Sequence, residues 1–118
     1  VIRGEAAVNG TWGALLREAM SDKSPAVACT AAKAVERFSQ RPADVNTAIA
    51  VLLKYADGSK QDHFAVMLAL NALDALDGRA RKHTATIRAL PRQARNTPAR
   101  GKSYIPNLLT KIIADLEK

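Results

Sequence analysis

The stretch Phe64–Gly78, with the sequence FAVMLALNALDALDG, decides the fold class. Its apolar residues recur at the i, i+3, i+4, i+7 spacing of a buried helix face, at Val66, Ala69, Leu70, Leu73 and Leu76. Asp62 precedes this stripe as the predicted N-cap, and Gly78 follows it as the predicted C-terminal stop. The stretch therefore predicts an amphipathic helix.

Apolar stripes with the same period lie on both sides of this helix. One stripe runs from Val45 to Ala56. Ser24-Pro25 predicts another helix start, because serine caps well and proline is tolerated at the first helical position. Thr11 and Ser103 are the predicted N-caps of the first and last helices. We expect Leu53, Ala69, Leu70, Leu73 and Ile112 to lie in the core.

The helices also recur in pairs along the chain. Leu15–Ala19 returns as Leu52–Ala56, which is 37 residues later, and other segments return at shifts of 38 and 40 residues. Such a period is typical of α-solenoids, in which stacked helix pairs bury faces that one pair cannot bury alone. We predict one domain over residues 1–118, with units at about 11–39, 42–78 and 79–118 and a partial capping helix over 1–8. A globular bundle of five or six helices is the alternative.

The repeat resembles a known family. Ala72–Gly78, ALDALDG, is similar to the end of the second helix of a HEAT repeat, and Leu52-Leu53 followed by Asp57 is similar to the end of a first helix. The resemblance implies an all-α fold, a short right-handed α-solenoid of two to three HEAT-like helix hairpins. HEAT-like and armadillo-like domains commonly serve protein interaction.

A second resemblance is longer. Val51–Leu76 and Ser103–Glu117 resemble the helical segment that follows the catalytic domain in some bacterial sulfatases of the arylsulfatase type. It implies the C-terminal appendage of a larger hydrolase, with a periplasmic or secreted location. The absence of an initiator methionine favours an excised piece in the same way. Any calcium cofactor would belong to the separate sulfatase domain.

The catalytic signature of that family is missing. In the family, the cysteine of Cys-x-Pro-x-Arg or Cys-x-Ala-x-Arg becomes formylglycine, whereas Cys29 here lies in Cys-Thr-Ala-Ala-Lys and Lys33 replaces the arginine. The alanines around Cys29 predict a small buried residue instead. No catalytic residue can be carried over, so we expect no enzymatic activity of this chain by itself.

The amino-acid composition narrows the structural classes to which the chain can belong. Apolar residues make up 47% and charged residues 25% of the 118 residues, which excludes a disordered chain, and only 4% are aromatic, which disfavours an all-β fold. One cysteine excludes an internal disulfide.

His63 and His83 are too few for a zinc site, and we predict both to be solvated. Asp74 and Asp77 share a helix face, and we expect structural roles for them. We expect no metal, no cofactor and no membrane contact.

The net charge of +7 is unevenly placed. Residues 79–102 contain no Asp or Glu, and we call them the basic segment; its cations are Arg79, Arg81, Lys82, Arg88, Arg92, Arg95, Arg100 and Lys102. Prolines and Gly101 predict a loop over 91–102. Three interpretations stay open: a solvated mobile loop, a docking surface for carboxylates of another domain or protein, and a site for a polyanion such as nucleic acid or a sulfated glycan.

The sequence thus supports two classes of function. The first is a non-catalytic scaffold or interaction domain, the appendage of a sulfatase-type hydrolase that docks through the basic segment. The second is a free-standing HEAT-like module that binds nucleic acid or a sulfated polyanion there. Few aromatic residues accompany the arginines, with Tyr104 the nearest, so the stacking surfaces typical of single-strand binding are missing.

Overall fold

The computed structural model of the chain describes residues 11–39 and 41–117. The described residues form helices and their connections, with no strand among them. The prediction of an all-α fold is therefore confirmed. The predicted capping helix over residues 1–8 lies outside the described residues.

Six α-helices and two short 3-10 helices follow one another in these ranges. The α-helices are α1 Thr11–Ala19, α2 Pro25–Phe38, α3 Pro42–Tyr55, α4 His63–Ala75, α5 Thr84–Arg88 and α6 Tyr104–Leu116. The 3-10 helices are η1 Asp77–His83 and η2 Ala99–Gly101. Residues 89–98, between α5 and η2, contain no helix.

The chain separates into two packed units, with the boundary between Leu52 and Leu53. In the first unit α1 packs against α2. The Ser24 hydroxyl accepts a hydrogen bond from the Val27 N–H at 3.4 Å, and Pro25 occupies the first helical position. The predicted helix start at Ser24-Pro25 is therefore correct. Ala28, Cys29, Ala32 and Val35 are buried.

In the second unit α6 packs against α4, η1 and α5. The Asp62 carboxylate accepts from the Ala65 N–H at 3.0 Å, as expected for the N-cap of α4. The largest fully buried side chains of this unit are Val66, Leu70, Leu73, Leu76, Ile87, Ile105, Leu109 and Ile112. Four of the five predicted core residues are among the buried residues of this unit: Ala69, Leu70, Leu73 and Ile112.

Three local predictions differ from the structure. Leu53 is only half-buried, because the buried stripe of α3 runs through Ala48, Ile49 and Leu52 and leaves Leu53 at its flank. Gly78 does not end the helix, since α4 ends at Ala75 and η1 continues through Gly78. Ser103 occupies the N-cap position of α6 but its side chain makes no capping hydrogen bond.

Candidate anion-binding site

The basic segment lies entirely in the second unit and passes through η1, α5, the irregular residues 89–98 and η2. Its eight cationic side chains are all exposed. The structure divides them by what they contact, and this division decides which of them can receive a ligand.

Two of the arginines hold the segment against the C-terminal end of α6. The Nε atom of Arg81 donates to the Leu116 carbonyl at 3.0 Å, and Arg88 forms an ion pair with Glu117. Positive charge at a helix C-terminus is stabilised by the free carbonyl groups there. Arg81 and Arg88 therefore have a structural role.

Three further arginines donate to nearby backbone carbonyls. Arg79 donates from Nε to Leu76 at 3.3 Å, Arg92 from Nη1 to Leu90 at 2.8 Å, and Arg95 from Nη2 to Lys60 at 2.6 Å. The Nη1 atom of Arg92 donates in addition to the Arg88 carbonyl at 3.4 Å. A guanidinium has five N–H donors, so a carbonyl can hold it in place and leave N–H groups for an anion. These bonds reduce the side-chain entropy that Arg92 and Arg95 would lose on binding a ligand.

Arg100 and Lys102 differ from the others. Both are exposed, and neither makes a hydrogen bond or ion pair with another described residue. Lys82 has polar interactions of its own. Arg100 and Lys102 are therefore the two cations of the segment that no hydrogen bond or ion pair with a described residue holds in place.

The middle of the segment is anchored to the turn between α3 and α4. The backbone N–H of His63 donates to the Arg95 carbonyl at 2.7 Å. At Gly58, a Cβ atom would lie 1.9 Å from the Gln93 carbonyl oxygen, so only glycine permits this approach. The turn is itself ordered by the Asp57 carboxylate, which accepts from the Ser59 hydroxyl at 2.6 Å. That hydroxyl holds the pKa of Asp57 below its ordinary value, with the Ser59 backbone N–H adding to the effect.

A cavity of about 240 Å³ opens between the anchored segment and the start of α6. We call it the basic cavity; it is lined by Arg92, Gln93, Ala94, Thr97, Lys102 and Ile105. The Thr97 hydroxyl already donates to the Ala94 carbonyl at 2.8 Å. Arg92, Gln93 and Lys102 are the other lining residues with side-chain donors, and Ala94 and Ile105 are the apolar ones.

The structure brings only part of the predicted site together. Arg92 and Lys102 share the basic cavity, whereas Arg81 and Arg88 contact the end of α6. Gln93 and Thr97, which also line the basic cavity, are not among the predicted site residues. No signal in the sequence could have found them, because the cavity depends on the approach of Gln93 to Gly58.

The prediction that His63 is solvated is wrong. Only 4% of its surface is exposed, and its ring lies 5.6 Å from that of Phe64 and 6.5 Å from that of Tyr104. Its Nδ1 atom has no hydrogen-bond partner among the described residues. The spacing of His63, Val66 and Leu70, at i, i+3 and i+7 on the buried stripe of α4, is a signal that could have predicted this burial. His83 is half-exposed, with its Nε2 atom buried and unpartnered, so it is not fully solvated either.

The other candidate groups lie in structural surroundings. Cys29 is buried, and desolvation raises its pKa from 9.0 to about 11, so it is a neutral thiol at physiological pH. Asp74 forms an ion pair with Lys111 at 2.6 Å. Over residues 11–39 and 41–117, no three His, Cys, Asp or Glu side chains come together in a group that could hold a metal ion.

In comparisons with known proteins, no family model, no curated protein and no solved structure matches this chain. The resemblances to HEAT repeats and to the sulfatase appendage stay predictions. Within the part of the chain that the structure describes, none of the helices combines the length and apolar character needed to span a bilayer.

Proposed function

We propose that this chain is a non-catalytic interaction domain that docks on an acidic protein surface through the basic segment. One observation carries the proposal: arginines held in place by backbone carbonyls lie in the same acid-free segment as Arg100 and Lys102, two cations that have no hydrogen bond or ion pair with a described residue. Arginine pairs with carboxylates through two parallel hydrogen bonds, so positioned guanidinium groups suit an acidic surface.

The proposal includes an architecture and a partner. The helix hairpins would stack as a short right-handed HEAT-like solenoid, a fold that presents an extended surface to its partner. The partner would be another domain of the same polypeptide, the catalytic domain of a sulfatase-type hydrolase. The resemblance of Val51–Leu76 and Ser103–Glu117 to the helical segment that follows the catalytic domain in such sulfatases supports this partner. The reading frame upstream of Val1 tests it: a Cys-x-Pro-x-Arg or Cys-x-Ala-x-Arg motif there is expected, and a start codon directly before Val1 would contradict it.

Binding to poly-L-glutamate tests the docking surface without knowledge of the partner. Isothermal titration calorimetry at low and high salt should show binding that weakens as salt rises, because both sides carry exposed charges. Arg100→Ala should weaken the binding and leave the melting temperature unchanged, since Arg100 is exposed and makes no hydrogen bond or ion pair with another described residue. Undiminished binding by Arg100→Ala would contradict its role in docking.

A second function is favoured by the absence of any Asp or Glu between Arg79 and Lys102. An uninterrupted basic segment suits a polyanion, either a sulfated glycan or a nucleic acid. If about six phosphates were neutralised, the logarithm of the binding constant would fall with that of the salt concentration with a slope near −5. Titration with heparin and with duplex DNA measures that slope. Tighter binding to either one than to poly-L-glutamate would favour this function over docking.

A further inference from the structure

We propose that the basic cavity binds a tetrahedral oxyanion, a phosphate or sulfate group carried by an organic monoester. This goes beyond docking, because it assigns a small ligand to a concave site rather than a protein to an exposed surface. The proposal rests on the donors that converge on the cavity, on the state of their existing hydrogen bonds, and on the apolar wall beside them.

The donors of the cavity differ in shape and lie on two parts of the chain, at residues 92–93 and at residue 102. Arg92 offers a planar fork held by the Leu90 carbonyl, and Lys102 offers a compact ammonium group with no other partner among the described residues. The Gln93 amide adds neutral donors. A carboxylate presents two oxygens in one plane, whereas a phosphate or sulfate monoester presents three terminal oxygens in different directions, one for each of these groups.

The wall of the cavity is fixed by the backbone rather than by flexible side chains. The backbone of Gln93 and Ala94 packs directly against Gly58, and the Arg95 carbonyl accepts a hydrogen bond from the His63 N–H. The turn at residues 94–97 is closed by the Thr97 hydroxyl on the Ala94 carbonyl. A site formed before binding loses less conformational entropy than a flexible one when the ligand enters.

The apolar side of the cavity argues for an ester over a free ion. Ala94, which is half-buried, and Ile105, which is almost completely buried, are the apolar residues of the cavity lining. An inorganic ion would contact only the polar side, whereas the organic part of a monoester can cover the apolar wall. We therefore expect esters to bind more tightly than the corresponding inorganic ions.

Titration of the chain with four probes at constant ionic strength tests the proposal: inorganic phosphate, inorganic sulfate, phenyl phosphate and phenyl sulfate. Amide chemical shifts in NMR spectra report both the affinity and the position of binding. The expected result is saturable binding of at least one ester, with shifts concentrated at residues 92–105. The ester that binds more tightly identifies the oxyanion as phosphate or sulfate. Tighter binding of the inorganic ions, or shifts spread over both units, would overturn the proposal.

Two variants with the same change of charge separate the cavity from general attraction. Lys102→Gln removes a cation that lines the cavity, and Arg100→Gln removes one that does not. We expect Lys102→Gln to weaken ester binding about tenfold, as for the loss of a charged hydrogen bond, and Arg100→Gln to change it less than about twofold. Equal losses in both variants would overturn the proposal.

The outcome for docking can be separated from this result. If no probe binds while poly-L-glutamate still does, the cavity proposal fails and the docking proposal stands. If an ester binds and poly-L-glutamate does not, docking fails and the cavity keeps its assignment.

Discussion

Gly58 joins the turn after α3 to the wall of the basic cavity. A Cβ atom there would lie 1.9 Å from the Gln93 carbonyl oxygen and 3.1 Å from the Ala94 Cα atom, and both are backbone atoms that cannot rotate away. We predict that Gly58→Ala lowers the free energy of unfolding by about 1–3 kcal/mol, as other overpacking substitutions do. Urea denaturation measures the change.

Gly78 is the matched control for that substitution. Its added Cβ would meet only the end of the Arg81 side chain, at 3.3 Å. We therefore expect Gly78→Ala to change stability by less than about 1 kcal/mol. A Gly58→Ala variant as stable as Gly78→Ala would show that the backbone of Gln93 does not approach the turn as closely as described.

Cys29 makes stability depend on pH in the alkaline range. Burial raises the pKa of its thiol from 9.0 to about 11, so the unfolded chain releases this proton before the folded chain does. The contribution of the neutral Cys29 thiol to the free energy of unfolding is complete below pH 9. As the pH rises from 9 to 11, the free energy of unfolding falls by roughly 2 kcal/mol at most. Chemical denaturation at several pH values measures it.

The Cys29→Ala variant isolates the effect, because other groups also titrate in this range. Its stability should fall less steeply between pH 9 and pH 11 than that of the unaltered chain. Identical slopes for the two proteins would contradict the assignment of a raised pKa to Cys29.

At the scale of elements, α4 contributes the most buried face of the second unit. Leu70 is completely buried on it, whereas Leu68 on the same helix is 43% exposed. We predict that Leu70→Ala lowers the free energy of unfolding by about 2–5 kcal/mol, since it leaves a cavity, and that Leu68→Ala lowers it by less than about 1 kcal/mol. Thermal or urea unfolding of both variants measures the difference, and similar costs would overturn the orientation of α4.

The irregular element between α5 and η2 depends on one residue with unusual backbone geometry. Asn96 has a φ of 59°, in the left-handed region that asparagine and glycine tolerate best. We predict that Asn96→Ala costs about 1 kcal/mol of stability and that Asn96→Gly costs less than that. Equal stabilities of the two variants in urea denaturation would contradict a left-handed conformation at this position.

Local sequence patterns predicted the helices well because their determinants are local. Ser24-Pro25 and Asp62 act on residues within one turn of themselves, and the buried stripe of α4 repeats within a single helix. The boundary at Gly78 was not predictable in this way, because the continuation into η1 depends on packing between η1 and α6.

The candidate site was predictable only as a composition. The acid-free run of cations is visible in the sequence, but its division into anchored and available residues is not. That division depends on pairs such as Arg95 with Lys60 and Arg81 with Leu116, which lie far apart along the chain. The basic cavity likewise depends on the contact between Gly58 and Gln93, which no local sequence pattern predicts.

At the scale of the whole molecule, the charge is concentrated in the second unit. The chain carries a net charge of +7, and every residue of the basic segment belongs to that unit. A field of one sign on one unit attracts acidic partners and accelerates their association, and salt weakens both effects. Docking through the basic segment therefore requires that the position of the charges, and not only their total, determines binding.

The most direct test compares two double variants with the same change of net charge. Arg100→Glu with Lys102→Glu reverses the available cations of the basic segment, and Lys23→Glu with Lys33→Glu reverses two exposed lysines of the first unit. Affinity for poly-L-glutamate is measured by calorimetry at one salt concentration. We predict that the first variant loses at least about tenfold in affinity and the second less than about threefold. Equal losses in the two variants would contradict it.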